Sequence, residues 1–353
     1  MTPMNSNRLL LRILILFSLA ACTDDEISEL PVGDYADGYF ITNEGPFLNG
    51  TGTITFVGAD GTVQQEVFRR VNGEDLGNIV NSMYLYLDEA FIVVNNSSKI
   101  VVADRNTMEK IAVVEGNGIE NPRHFVVSNG VGYLSNWGDP NDPSDDFVSV
   151  IDLESYAVLN TIAVGEGPER MLPTPRGLFV ALQGGFGQND KIALIDTSVN
   201  EVKEVIEVGD VPNSLVSDSD GNVWVLCGGI PAWTGNQTNG SLVRIDPNDL
   251  GTESLDFDET EHPGLLNIDA DRMFFNLDGK VYQMSPSSAE LPSEPLTGMD
   301  GFYYAMTVKN GELYGTDAGD FASEGTVKVF NVNSKTLLNT IEAGIVPGSV
   351  VFP

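Results

Sequence analysis

Lys191-Ile192-Ala193-Leu194-Ile195-Asp196 is an apolar hexapeptide closed by an acid, and the chain writes it repeatedly. Phe147–Asp152 (FVSVID), Lys99–Asp104 (KIVVAD) and 241–246 (SLVRID) are near copies. Weaker copies lie at 280–285 and 326–331, and 53–58 (TITFVG) is the first and most degenerate. Their final positions, 58, 104, 152, 196, 246, 285 and 331, recur at about 45 residues, a spacing typical of repeat architectures. Seven copies predict seven structural units.

A second marker is independent of the first. Pro122, Pro168, Pro212 and Pro263 each stand 11 residues before a position in the next apolar run, namely Tyr133, Phe179, Val223 and Phe274. A fixed spacing from turn proline to strand argues for one reused unit. Within each unit the Gly, Asn, Asp and Pro clusters separate four short strands, as many as a propeller blade holds. The chain ends on Val346-Pro347-Gly348-Ser349-Val350-Val351-Phe352-Pro353, the head of an eighth unit, whereas the first unit opens at Gly38-Tyr39-Phe40-Ile41 without such a head. The reading is an all-β, seven-bladed β-propeller over residues 36–353, closed by the C-terminal strand in the first blade. Closure of that kind removes exposed strand edges.

Composition narrows the function. A hydrophobic fraction of 42%, a charged fraction of 20% and 37 glycines describe a folded, turn-rich chain. Against 18 Lys+Arg stand 51 Asp+Glu, a net charge of −33 that repels phosphate backbones and excludes nucleic acid as a partner. Two histidines and two cysteines are too few for a zinc, haem or iron–sulfur centre built from them alone.

Residues 1–21 read as a signal peptide: Arg8 and Arg12 carry the positive charge and Leu9 opens an apolar run that reaches Ala21. The run is shorter than the roughly 20 residues a spanning helix needs. Leu19-Ala20-Ala21-Cys22 looks like the lipobox of bacterial lipoproteins, which implies cleavage before Cys22 and lipidation of that cysteine. Residues 22–35 are then the lipidated Cys and an acidic linker, beginning Thr23-Asp24-Asp25-Glu26. That start resembles the surface-export signal of Bacteroidota lipoproteins, with a plain solvated tether as the alternative. The expected location is the outer membrane, lipid-anchored and facing the cell exterior. Cys227 ends the apolar run Val223-Trp224-Val225-Leu226 and is expected to be a buried, inert thiol.

The Asp-closed strands and proline-headed repeats resemble the YncE-like and surface-layer-type propellers. More narrowly, Asn43-Glu44-Gly45, the stretch 68–77 with Asn72-Gly73 inside it, Ser82-Met83, Val94-Asn95-Asn96-Ser97 and Pro122-Arg123-His124-Phe125 resemble the surface lipoproteins of the BtuG group of Bacteroidota. The resemblance implies capture of cobalamin or another corrinoid and its delivery to a TonB-dependent transporter, by a protein that is otherwise a monomer. It does not transfer the corrinoid contacts residue by residue.

The residues themselves point to one face. The loops between second and third strands are the long ones, at 43–52, 136–146, 183–190, 228–239 and 316–324. Loop length gathered on one side of a rigid scaffold marks a binding face. Trp137 and Trp233 offer flat apolar surfaces there, and Asn43, Asn95, Asn136 and Gln183 offer amides at corresponding strand ends, with Glu44 and Asn96 beside them. Asx turns and interblade packing are the alternative roles. Arg123-His124 and Glu169-Arg170 begin inner strands and should approach the central channel, where two arginines invite a ligand anion unless Glu169 neutralises them.

No cofactor is expected. Asp139, Asn141, Asp142, Asp145 and Asp146 form an acidic loop, for which a solvated turn is the simpler reading and calcium the alternative. No nucleophile elbow, phosphate-binding glycine loop or His-based triad occurs. A propeller hydrolase or lyase using a divalent metal, and a structural or adhesive surface component, stand as the competing functions.

Overall fold

The computed structural model describes residues 34–47, 49–139 and 141–353. The signal segment and Cys22 lie outside the described residues. Within them the chain forms seven antiparallel sheets arranged as the blades of a propeller. Blade two is Val80–Tyr86, Glu89–Val94, Lys99–Asp104 and Lys110–Glu115, from the axis outward. Blade three is Pro122–Ser128, Val131–Asn136, Phe147–Asp152 and Val158–Ala163, and blade four is Pro168–Thr174, Gly177–Leu182, Lys191–Asp196 and Glu201–Glu207. Blade five runs Pro212–Ser217, Val223–Cys227, Ser241–Ile245 and Thr252–Asp256, and blade seven runs Met306–Lys309, Glu312–Asp317, Glu324–Asn331 and Thr336–Ile345.

Blade one is assembled from both ends of the chain. Pro347–Val351 is its innermost strand, paired with Gly38–Asn43 through Ile41–Val350 and Phe40–Val351, and Thr53–Gly58 and the two-residue Val63–Gln64 complete it. The C-terminal strand thus closes the ring.

Two departures from the regular repeat have visible causes. Blade six has three strands, Gly264–Asp269, Arg272–Leu277 and Lys280–Met284, where four were expected. Its outer segment, 285–305, contains Pro286, Pro292 and Pro295, which lack the N–H a ladder needs. In place of a strand it drops single bonds onto the edge, from Leu296 N–H to Val281 O and from Gly301 N–H to Gly279 O, both 2.7 Å. Between blades one and two, a six-residue helix, Val67–Asn72, tucks Val67 and Phe68 into the core.

The core lies between blades. Each of seven apolar clusters is shared by two neighbouring sheets, because alternate residues of one strand face opposite neighbours. In Glu89–Val94, for instance, Ala90, Ile92 and Val94 pack toward blade one, and Phe91 and Val93 toward blade three. Both faces being buried, the strands read as continuous apolar runs. Phe91 stacks on Phe125 with ring centroids 4.4 Å apart. Cys227 is buried in the cluster between blades four and five, and burial pushes its thiol up to about 12.

The heads of the inner strands share a device. Ile79, Asn121, Gly167, Val211 and Val346 all adopt positive φ, between 49° and 70°. Their carbonyls accept hydrogen bonds from the backbone N–H of Asn95, Trp137, Gln183, Gly228 and Glu44, respectively, at 2.8–3.2 Å. A β-bulge follows in blades two to six, between Val80 and Ser82, Pro122 and Phe125, Pro168 and Met171, Pro212 and Ser214, and Gly264 and Asn267. A bulge breaks the two-residue alternation and can turn adjacent side chains to one side. Arg123 and His124, and Glu169 and Arg170, are the pairs it turns toward the axis.

The described chain begins on the side opposite the long loops. Tyr35 N–H bonds to Asn106 O at 2.8 Å, in the turn after Lys99–Asp104, and Gly38–Asn43 then climbs toward the loop face.

Candidate ligand-binding mouth

The long loops of blades one, three, four and seven surround a cavity of about 750 Å³ at the upper end of the propeller axis. Its floor is Arg123. The guanidinium donates from Nε to Glu169 Oε2 at 2.8 Å and from Nη2 to Glu169 Oε1 at 3.1 Å. His124 Nε2 lies 3.1 Å from the same Oε1. Burial disfavours the charge on Glu169, but Arg123 and His124 overcome it and hold the carboxyl far below the usual range. Burial and the positive charge of Arg170 lower His124, which favours its neutral form. This cluster plugs the axis between the mouth and a second cavity, the axial channel, of about 700 Å³.

The Arg123 guanidinium also lies over the Trp137 ring, 4.1 Å from its centroid. Trp137 is fixed from two further directions: its indole Nε1–H donates to Pro168 O at 3.0 Å, and Phe186 meets it edge-on with centroids 5.5 Å apart. Across the mouth, Tyr304 donates its hydroxyl hydrogen to Glu44 Oε1 at 2.8 Å and meets Phe321 edge-on. Burial raises Glu44 above the ordinary glutamate range despite that bond and nearby Arg123. Asn95 and Asn96 line the wall, their amides bonded to Asn121 and Asn78.

The rim is apolar and open. Phe47, Phe186, Phe321 and Tyr304 are 73%, 66%, 56% and 39% exposed and all border the same cavity, an arrangement that costs solvation unless something covers it. An aromatic rim over an arginine and several amides suits a large, flat ligand with an apolar body and polar edges.

The candidate residues separate on this geometry. Glu44, Asn95, Asn96, Arg123 and Trp137 line the mouth, whereas His124, Arg170 and Gln183 line the axial channel. Asn43 and Asn136 line neither. Both are fully buried, one residue short of the station held by Glu44 and Trp137, and in a strand one residue reverses the side chain's direction. The Asn43 amide donates to Thr53 Oγ1 and Thr55 Oγ1 at 3.0 Å and accepts from Gly344 N–H at 2.9 Å. Asn136 donates to Ser149 Oγ at 2.8 Å and accepts from Glu120 N–H at 3.0 Å. These amides brace loops from behind. Trp233 sits on a short turn, Ala232–Thr234, 83% exposed and apart from the mouth.

Sequence reasoning missed Phe47, Phe186, Phe321 and Tyr304. The signal was available for three of them, each the aromatic residue of a long loop. The loop of blade four is seated by Gly167, where a Cβ would stand 2.0 Å from Gly185 N. Gly167 N–H also donates to Asp146 Oδ2 at 2.6 Å. In the acidic loop, Asp139 and Asp142 accept from Asn141 and Ser144 in local turns. Among the described residues no group of three or more His, Cys, Asp or Glu comes together to hold a metal ion. His262 lies apart from His124, with Nδ1 2.8 Å from Gly228 O.

Fold and mouth together define a seven-bladed β-propeller with a loop-face cavity. The chain belongs to the family described as a domain of unknown function, DUF5074, which matches residues 37–265. No curated protein matches it. Among solved structures it is similar to hydrazine synthase of Kuenenia stuttgartiensis (14% identity, TM-score 0.59), over 83% of this chain and 90% of that one. It is also similar to the computationally designed Ika8 protein (11% identity, TM-score 0.58), over 88% and 90% of the two chains. At these identities the likeness is one of fold alone.

Proposed function

We propose that the protein is a non-enzymatic binding protein that captures a nutrient at the mouth, with cobalamin or another corrinoid as the favoured class. The observation that carries this reading is the ring of exposed aromatics, Phe47, Phe186, Phe321 and Tyr304, over the Arg123–Trp137 floor. A corrinoid is broad, apolar on its faces and ringed with amides, and it carries a phosphate that Arg123 could approach. The likeness of the first third of the sequence to the BtuG group of Bacteroidota lipoproteins supports the same class.

On this reading the protein is lipidated at Cys22, displayed on the outer membrane, and passes its ligand to a TonB-dependent transporter. Calorimetric titration with cyanocobalamin and related corrinoids tests the ligand: saturable binding that Trp137→Ala weakens supports it, and no binding at micromolar concentrations removes it. Co-purification of a TonB-dependent transporter from membranes, lost in Cys22→Ser, tests the delivery role separately.

A further inference from the structure

The axial channel below the plug has its own chemistry. Among the described residues Glu169 is the single acidic one that lines it, and both its oxygens are already engaged by Arg123 and His124. Arg170 lines the same channel, half-buried, and among the described residues it makes no ion pair and no hydrogen bond. Gln183, which follows the second strand of the same hairpin and whose backbone N–H is fixed to Gly167 O, lines the same channel and likewise keeps its side-chain amide unbonded among those residues. Lys309 stands exposed at the channel lining and adds a second positive charge.

An arginine drawn out of water without a partner is costly. Burial indeed depresses its basicity, and Arg123 adds to the effect, with Glu169 offsetting part of it. The bulge between Pro168 and Met171 nevertheless holds it on the axis. In a protein of net charge −33, a positive channel focuses anions from a surface that otherwise repels them. The planar guanidinium fork matches the oxygens of phosphate or carboxylate, and the Gln183 amide supplies a further donor.

We propose that the axial channel is a second binding site, in which the guanidinium of Arg170 and the side-chain amide of Gln183 hold a small oxyanion, a phosphate or carboxylate group. The site is separate from the mouth, because the Arg123–Glu169–His124 cluster stands between them. It stands whether or not the mouth binds a corrinoid.

The test is calorimetric titration of the purified chain with inorganic phosphate and, in parallel, with citrate, in a low-chloride buffer. One-to-one binding of either supports the site, and which of the two binds distinguishes a phosphoryl from a carboxylate ligand. Arg170→Gln should weaken binding about tenfold or more, in line with the loss of a charged hydrogen bond, while Trp137→Ala leaves it unchanged. Gln183→Leu, which leaves all charges in place, should weaken it several-fold and guards against an Arg170 variant that does not fold. Failure of both anions to bind, wild-type affinity in a folded Arg170→Gln or in Gln183→Leu, or loss of binding in Trp137→Ala would each overturn the proposal.

Discussion

Arg123 donates two hydrogen bonds to Glu169 and lies over Trp137, whose ring centroid is 4.1 Å from the guanidinium carbon. One side chain therefore joins the buried plug to the open mouth. Its carboxylate partner is 10% exposed, so the pair is largely withdrawn from water. Glu169→Gln leaves Arg123 without its counter-charge, and the expected loss is about 3 kcal/mol. Chemical denaturation at neutral pH measures it. The sign with pH follows from the depressed carboxyl: its contribution is present above the unfolded value of about 4.3 and is lost as pH falls below that. The gap between wild type and Glu169→Gln should therefore narrow from pH 5 downward.

Asp146 behaves in the opposite sense. Burial, opposed by the Gly167 N–H bond and helped by Asp145 and Glu166, raises its carboxyl to about 6. The native chain thus binds a proton that the unfolded chain, near 3.9, has released, and stability falls as pH rises toward 6. Asp146→Asn removes that charge and should be more stable than wild type at pH 7.5, with the advantage vanishing near pH 4. Thermal melts at the two pH values read this directly, and an equal shift at both would refute it.

Gly167 and Val211 occupy the same station in successive blades, at φ 70° and 59°. Substitution should act oppositely at the two. Gly167→Ala drives a Cβ into the backbone of Gly184 and Gly185 and should cost about 2–4 kcal/mol while displacing Phe186 from the mouth. Val211→Gly relieves a β-branched residue in the left-handed region and should gain about 0.5–1 kcal/mol after the entropy of glycine is counted. A matched pair of melting curves decides both.

Deleting residues 347–353 removes the strand that pairs with Gly38–Asn43 and leaves that strand's inner edge bare. The expected result is a broadened, less cooperative unfolding transition and self-association visible by size-exclusion chromatography. A sharp transition at the wild-type midpoint would show that closure contributes little.

Much of the architecture was legible because both blade faces are buried, which writes the strands as apolar runs such as Phe147–Asp152 and Lys191–Asp196, both found with those bounds. The prolines of 285–305 carried the warning that blade six would lose its outer strand. Less was legible at the mouth. Asn43 and Glu44 differ by one position, and only the register of the strand decides which faces the cavity and which disappears behind it. The bulges at 122–125 and 168–171 are likewise invisible in the sequence, and it is between them that Arg123 and His124 meet one carboxylate.

The chain's first described residues leave the propeller beside Asn106, and the mouth opens at the other end of the axis. On the proposed lipid anchoring, the point of attachment and the aromatic rim stand at opposite ends of the axis, like the base and the lip of a bowl. Such a bowl would have to be tipped over to pour its contents toward the surface it stands on, so the proposed delivery requires the whole propeller to turn.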